Sequence, residues 1–161
     1  MALSVDIDWQ ADGALCLSYR LEAPLDQLRL PQRVASGPAD DLWRHTCCEA
    51  FIAAVDGPAY REFNFSPSGQ WAAYAFSTYR QRNADWKAPA APTSRLDLQD
   101  STMILKATLP TTLLPAGRLQ LALSAVLEQQ DGSISYWALQ HAAAQPDFHH
   151  RDSFVLPLNR P

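Results

Sequence analysis

The chain has 161 residues, 47% of them hydrophobic and 19% charged, with a formal net charge of -4 at pH 7. This length suits one domain, residues 1–161, with a core that needs neither metal nor disulfide staples. The acidic balance offers no basic field to a phosphate backbone, which argues against a nucleic-acid partner, and no window approaches the roughly 20 apolar residues of a membrane-crossing helix.

Three cysteines, two of them adjacent as Cys47-Cys48, make neither a disulfide framework nor a zinc knuckle, so packed free thiols are expected. The opening M-A-L-S-V-D-I-D-W has no basic n-region and meets acids before any apolar run of signal length. A cytoplasmic location is the expectation.

Apolar residues recur at spacing two, in short segments between turn signals, which is the pattern of strands. Val5–Trp9 and Ala14–Glu22 flank Asp12-Gly13, and Leu28–Leu30 is a short third strand. Gln32–Asp41 follows as a polar connection of the length used for binding loops and lids. Cys47–Val55 alternates, with Cys47, Glu49 and Phe51 on one side and Cys48, Ala50 and Ile52 on the other. A carboxylate in such an apolar run is costly to cover unless paired, and Arg44, Arg61 or Arg80 is the expected partner of Glu49.

Tyr60–Phe65 and Trp71–Thr78 flank Ser66-Pro67-Ser68-Gly69, which suits a type I turn. A two- or four-residue loop pairs Phe65 with Gln70. Phe63, Phe65, Tyr74 and Phe76 then form the core face, while Glu62, Asn64 and Trp71 point outward beside the small Ala73 and Ala75. A three-residue loop would exchange the faces. An indole beside a carboxylate and an amide is sugar-recognition chemistry: the ring stacks on the C–H face and the polar groups bond to hydroxyls.

Arg82–Ser94, with A-P-A-A-P inside it, cannot continue a central strand. Arg95–Gln99 and Thr102–Leu109 come next, then Arg118–Gln129 and Ser133–His141 around Asp131-Gly132, and last Ser153–Leu158. A two-residue Asp131-Gly132 loop pairs Val126 with Trp137 and Ala122 with His141, which puts Trp137, Leu139 and His141 on one face. Strands of this number without an amphipathic helix predict an all-β fold, a two-sheet antiparallel β-sandwich or jelly roll.

Enzyme signatures are missing: there is no G-x-S-x-G, no phosphate-binding glycine loop and no H-E-x-x-H. A pair of catalytic carboxylates is defined by separation in space and leaves no motif. His149-His150, adjacent in an extended chain, point to opposite faces, so no metal site is expected.

D-D-L-W-R-H-T-C-C-E-A-F-I (Asp40–Ile52) is followed by Y-R-E-F-N-F-S-P-S-G-Q-W-A-A-Y-A-F-S-T-Y-R (Tyr60–Arg80), and later by S-Y-W-A-L-Q-H (Ser135–His141) and P-D-F-H (Pro146–His149). In these segments the chain resembles the bacterial DOMON-like proteins, relatives of the DOMON domains and of family 9 carbohydrate-binding modules. The resemblance implies an immunoglobulin-like or jelly-roll sandwich whose broader relatives bind sugars or haem on one concave sheet. It also implies a site at Trp43, Glu49, Glu62, Asn64 and Trp71, with Trp137 and His141 from a late strand; Arg80 joins them as a candidate partner of Glu49. Haem-binding relatives use Met and His, but Met1 and Met103 are the only methionines and Met103 has no His opposite it, so no cofactor is expected. The expected function is a non-catalytic binding module for a carbohydrate, a soluble sugar or glycoconjugate. A protein-interaction module is the alternative, and a haem or redox-cofactor domain is less favoured.

Overall fold

A computed structural model describes residues 1–161. Strands β1 (Ala2–Trp9), β2 (Leu15–Glu22), β7 (Thr93–Gln99) and β8 (Thr102–Leu109) form one sheet in the order β1-β2-β8-β7. The second sheet contains β3 (Cys47–Ala54), β4 (Tyr60–Phe65), β5 (Trp71–Thr78), β6 (Gln81–Arg82), β9 (Leu119–Glu128) and β10 (Ile134–Ala138), in the order β10-β9-β3-β4-β5-β6. Strand β11 (Leu156–Leu158) also pairs with β9, on Leu119–Leu121, so β10 and β11 lie along different stretches of one strand. All these pairings are antiparallel.

The two sheets pack face to face through the apolar half of each alternation. Leu15, Leu17 and Tyr19 of β2 and Leu105, Ala107 and Leu109 of β8 meet Cys48, Ala50 and Ile52 of β3, Phe63 and Phe65 of β4, and Leu119, Leu121 and Leu123 of β9. The all-β antiparallel sandwich is therefore as expected. Tyr19 buries its ring there and donates its hydroxyl to the Glu49 backbone carbonyl at 2.7 Å, which satisfies its polar end. No helix is long and apolar enough to cross a membrane.

β10 stops at Ala138, so His141 lies beyond the strand and does not pair with Ala122, and three further elements differ from the sequence reading. Leu28–Leu30 is not a strand: Leu28 makes only an isolated bridge to Gln129, because the chain is turning through the short helical turn Leu25–Gln27. Ser153 belongs to a second such turn, Arg151–Ser153, and only Leu156–Leu158 reaches β9. At the start of the Pro/Ala-rich connection, Gln81–Arg82 adds a two-residue edge strand.

Two hairpins set the faces of the second sheet. Ser66 N–H donates to Gln70 C=O at 3.0 Å, and Gln129 N–H donates to Ser133 C=O at 2.8 Å, each closing a three-residue loop. In both, the last loop residue is a glycine in the left-handed region, Gly69 at φ 95 and Gly132 at φ 86. This is a type I turn followed by a left-handed residue, and it needs one residue more than the two-residue turn. Each following strand is consequently displaced by one residue from the expected register. Phe65 pairs with Trp71, Asn64 with Ala72 and Glu62 with Tyr74, while Val126 pairs with Tyr136 and Ala125 with Trp137.

With a side-chain period of two, this displacement exchanges the faces. Trp71 packs inward against the main core, and Trp137 packs against Leu21, Leu28 and Leu127. Tyr74 and Phe76, expected in that core, instead stand on the outer face of the sheet. Phe63 and Phe65 are inward as expected.

Candidate functional site

The outer face of the second sheet carries its polar residues in rows set by the strand register. Ser124, Glu49, Asn64 and Ala72 form one row across β9, β3, β4 and β5; Ala122, Phe51, Glu62 and Tyr74 form the next. Phe76 and Arg82 pair at the far edge. A cavity of about 790 Å³ lies over this face, within the range of small-molecule sites. Its walls come from the connections. Asp40, Asp41 and Trp43 precede β3, Arg80 sits at the β5–β6 turn with φ 53, and Pro146, Phe148 and His149 lie between β10 and β11. Trp43, 45% exposed, and Tyr136, 43% exposed, are the most accessible aromatic residues of the lining.

The floor is ionisable and almost dry. Glu49 is 2% exposed and Glu62 is 6% exposed. Burial, reinforced by the nearby Glu62 carboxylate, pushes the Glu49 carboxyl up to about 8, against a single hydrogen bond from Ser124 Oγ at 2.9 Å. Burial also raises Glu62, but Asn64 Nδ2 donates to its Oε1 at 2.9 Å and the Arg82 and Arg80 guanidinium groups oppose the rise. None of the arginines expected beside Glu49 bonds to it. Arg44 pairs with Asp41 at 3.4 Å, Arg61 donates to the backbone carbonyls of Thr112 and Leu113, and Arg80 pairs with Asp147 at 2.9 Å.

His149 is caged by aromatic rings, with ring centres of Phe51 and Phe76 at 5.1 Å and of Tyr60 at 5.8 Å. Burial, aided by the Arg80 charge and opposed by Asp147, lowers its pKa to about 4, so the ring is neutral at physiological pH. Its tautomer follows from its neighbours. The Tyr60 hydroxyl accepts from the Arg80 backbone N–H at 3.1 Å and shares a 2.8 Å hydrogen bond with His149 Nδ1, and the Glu62 carboxylate at the other ring nitrogen favours the tautomer in which the hydroxyl donates. The proton is then on Nε2, which stands 3.6 Å from Glu62 Oε2 as a neutral ring edge against a carboxylate. Asp147 holds this segment through Arg80, the Tyr79 hydroxyl and the backbone N–H of His149.

Among the residues singled out from sequence, Trp43, Glu49, Glu62 and Arg80 line the cavity, and Asn64, fully buried, supports Glu62 from the same strand. Trp71 and Trp137 do not reach it, for the reason of register given above. His141 is exposed, with its ring 6.1 Å from that of Phe148, and does not line the cavity. Met103 is wholly buried among Leu21, Leu28 and Leu127, so it shares no ligand position with His141. No three His, Cys, Asp or Glu residues are grouped to hold a metal ion.

Sequence reasoning missed Tyr74, Arg82, Tyr136, Phe148 and His149. Tyr74 carries the Arg82 guanidinium 4.1 Å above its ring and donates to Asp40 Oδ1 at 2.6 Å. The glycine at the third loop position was the available signal for Tyr74 and Tyr136. The last two lie on an irregular segment whose path no periodicity encodes.

No protein-family model matches the chain, and no curated protein matches it. Solved structures similar in fold include two carbohydrate-binding proteins. A proposed carbohydrate-binding protein from Bacteroides uniformis superposes with a TM-score of 0.71 at 16% identity, over 96% of this chain and 77% of that one. A family 9 carbohydrate-binding module from Caldicellulosiruptor kristjanssonii, in complex with glucose, superposes with a TM-score of 0.57 at 9% identity, over 87% of this chain and 67% of that one. At these identities the likeness is one of fold: this chain has the β-sandwich seen in those two proteins.

Proposed function

We propose that the chain is a carbohydrate-binding module, of the DOMON-like kind suggested by its sequence, which takes a sugar or the sugar end of a soluble glycoconjugate in the cavity on the outer face of the second sheet. One observation carries this reading. A single concave face combines two exposed aromatic side chains, Trp43 and Tyr136, with carboxyl and guanidinium groups held by hydrogen bonds, the Glu62 carboxyl by the buried Asn64 amide beneath it. A pyranose presents the same two surfaces: C–H faces that stack on aromatic rings, and hydroxyls that both donate to carboxylates and accept from arginine. The fold shared with carbohydrate-binding proteins supports the reading. It requires no cofactor, and a cytoplasmic protein would draw on intracellular sugars.

The test is calorimetric titration with monosaccharides, disaccharides and nucleotide sugars. Trp43→Ala and Tyr136→Ala should each weaken binding by about 0.5–1.5 kcal/mol, the value of a stacked aromatic contact, without lowering the unfolding midpoint. A folded protein giving no saturable heat with any sugar would overturn the proposal and shift attention to a protein partner.

A further inference from the structure

Two buried carboxyl groups on the cavity floor keep unlike company. Glu62 accepts from Asn64 Nδ2, faces the His149 Nε2 edge, and lies in the field of Arg80 from the β5–β6 turn and Arg82 from β6. Glu49 has one neutral donor, the Ser124 hydroxyl of β9, and no cation; its own strand adds Cys47 and Cys48, and the Tyr19 hydroxyl from β2 meets only its backbone carbonyl. Beside it, on its cross-strand partner, the buried Asn64 Oδ1 has no donor. The two side chains are cross-strand neighbours, so an ionised Glu49 would put a charge beside an acceptor that already lacks a donor, whereas a protonated Glu49 brings a donor to that row. The hydrogen-bonding pattern therefore assigns a proton to Glu49 and a charge to Glu62, and the raised pKa of Glu49 agrees.

The register adds the geometry. Glu49 pairs with Asn64, so Glu62 is its diagonal neighbour on the same face, with Cβ atoms on the order of 7 Å apart. Both carboxyls line the cavity. An acid and a base at that spacing can address two oxygens bonded to a single carbon, each at hydrogen-bond reach. In a reducing sugar the anomeric carbon carries such a pair, the ring oxygen and the anomeric hydroxyl. Environments that drive two carboxyl groups to opposite protonation states are how acid and base roles are divided.

We propose that this site, beyond binding a sugar, interconverts the anomers of a reducing aldose, with Glu62 as general base and Glu49 as general acid. The step rests on the carbohydrate-binding reading above. Glu62 takes the proton of the anomeric hydroxyl, and that oxygen's electron pair forms the carbonyl. The bond between the anomeric carbon and the ring oxygen breaks, and the ring oxygen takes both its electrons and the Glu49 proton. After rotation about the bond between the first two sugar carbons, the released hydroxyl closes on the other carbonyl face. It returns its proton to Glu49 while Glu62 reprotonates the carbonyl oxygen, so both carboxyls end as they began. No oxidant, reductant or metal enters. His149, a neutral ring against Glu62 Oε2, is a positioning residue for the base.

The experiment follows the optical rotation of freshly dissolved α-anomers of glucose, galactose and xylose with the full-length protein, alongside calorimetry with the same sugars. For a sugar that binds, the approach to equilibrium should accelerate in proportion to protein, at least tenfold over the buffer blank. Glu62→Gln and Glu49→Gln should each remove the acceleration, measured at a sugar concentration that calorimetry shows to saturate the variant, while retaining the far-ultraviolet circular dichroism of the parent. Binding without acceleration, or acceleration that survives both substitutions, overturns this inference and leaves the binding reading standing. No binding by any of the sugars in either assay counts against both.

Discussion

Replacing Glu49 by Gln should flatten the dependence of stability on pH. An ordinary glutamate carboxyl ionises near 4.5, and burial lifts Glu49 to about 8 in the folded protein. At about 1.4 kcal/mol per pKa step, forcing the buried charge at high pH costs on the order of 5 kcal/mol. The folded state keeps a proton that the unfolded chain releases, so the stabilisation is fully present below about 4.5 and is lost as pH rises through about 8. His149 works the other way: its lowered pKa removes stability as pH falls from 6.5 through about 4. A window from pH 6.5 to 8.5 therefore leaves His149 out, and linkage predicts a loss of about 2 kcal/mol from Glu49 across it in the parent protein. Urea unfolding followed by tryptophan fluorescence at several pH values gives the midpoints. Glu49→Gln, which preserves shape and carries no titrating proton, should lose most of that slope. A parent midpoint that stays level or rises between pH 6.5 and 8.5, or a Gln variant that runs parallel to it, would refute the reasoning.

Phe63→Ala, at a fully buried side chain between the sheets, should cost roughly 3–5 kcal/mol in urea unfolding. Trp71→Ala should lower stability by roughly 2–3 kcal/mol, because the ring is only partly buried against the core, and should leave sugar affinity unchanged in calorimetry. Gly132→Ala isolates backbone strain, since an added Cβ meets no atom within 4 Å while φ stays at 86; thermal or urea unfolding should show a loss of about 1–2 kcal/mol.

The sandwich was legible in the sequence because each strand states its own alternation. Tyr60–Phe65, Trp71–Thr78 and Thr102–Leu109 have the expected bounds, and Phe63 and Phe65 lie inside. What alternation does not state is the phase of one strand relative to the next. That phase is set in the turn, and S-P-S-G and Q-D-G permit loops that differ by one residue, with opposite faces as the result. β5 carries Trp71, Ala73 and Ala75 on one face and Ala72, Tyr74 and Phe76 on the other, with aromatic residues on both, so composition could not choose between them. Glu49, Glu62 and Asn64 were legible because strands β3 and β4 each have an apolar side that leaves the polar residues only one place to go. Phe148 and His149 were not, since their approach to Glu62 depends on Asp147 gathering Arg80, Tyr79 and a backbone N–H from distant parts of the chain.

Both ends of the segment that brings Pro146, Phe148 and His149 to the cavity are tied to one strand: it leaves β9 through β10 and returns to β9 through β11. Its ends are thus held by sheet pairing independent of whatever the segment itself contains, and loop-closure entropy grows only slowly with length. The wall over the binding face can therefore be lengthened, shortened or recomposed while the sheet beneath keeps its register. Ligand preference in descendants of this protein should diverge there first, and a randomised library for altered recognition belongs at the exposed positions between Ala138 and Pro146 rather than on the strands of the floor.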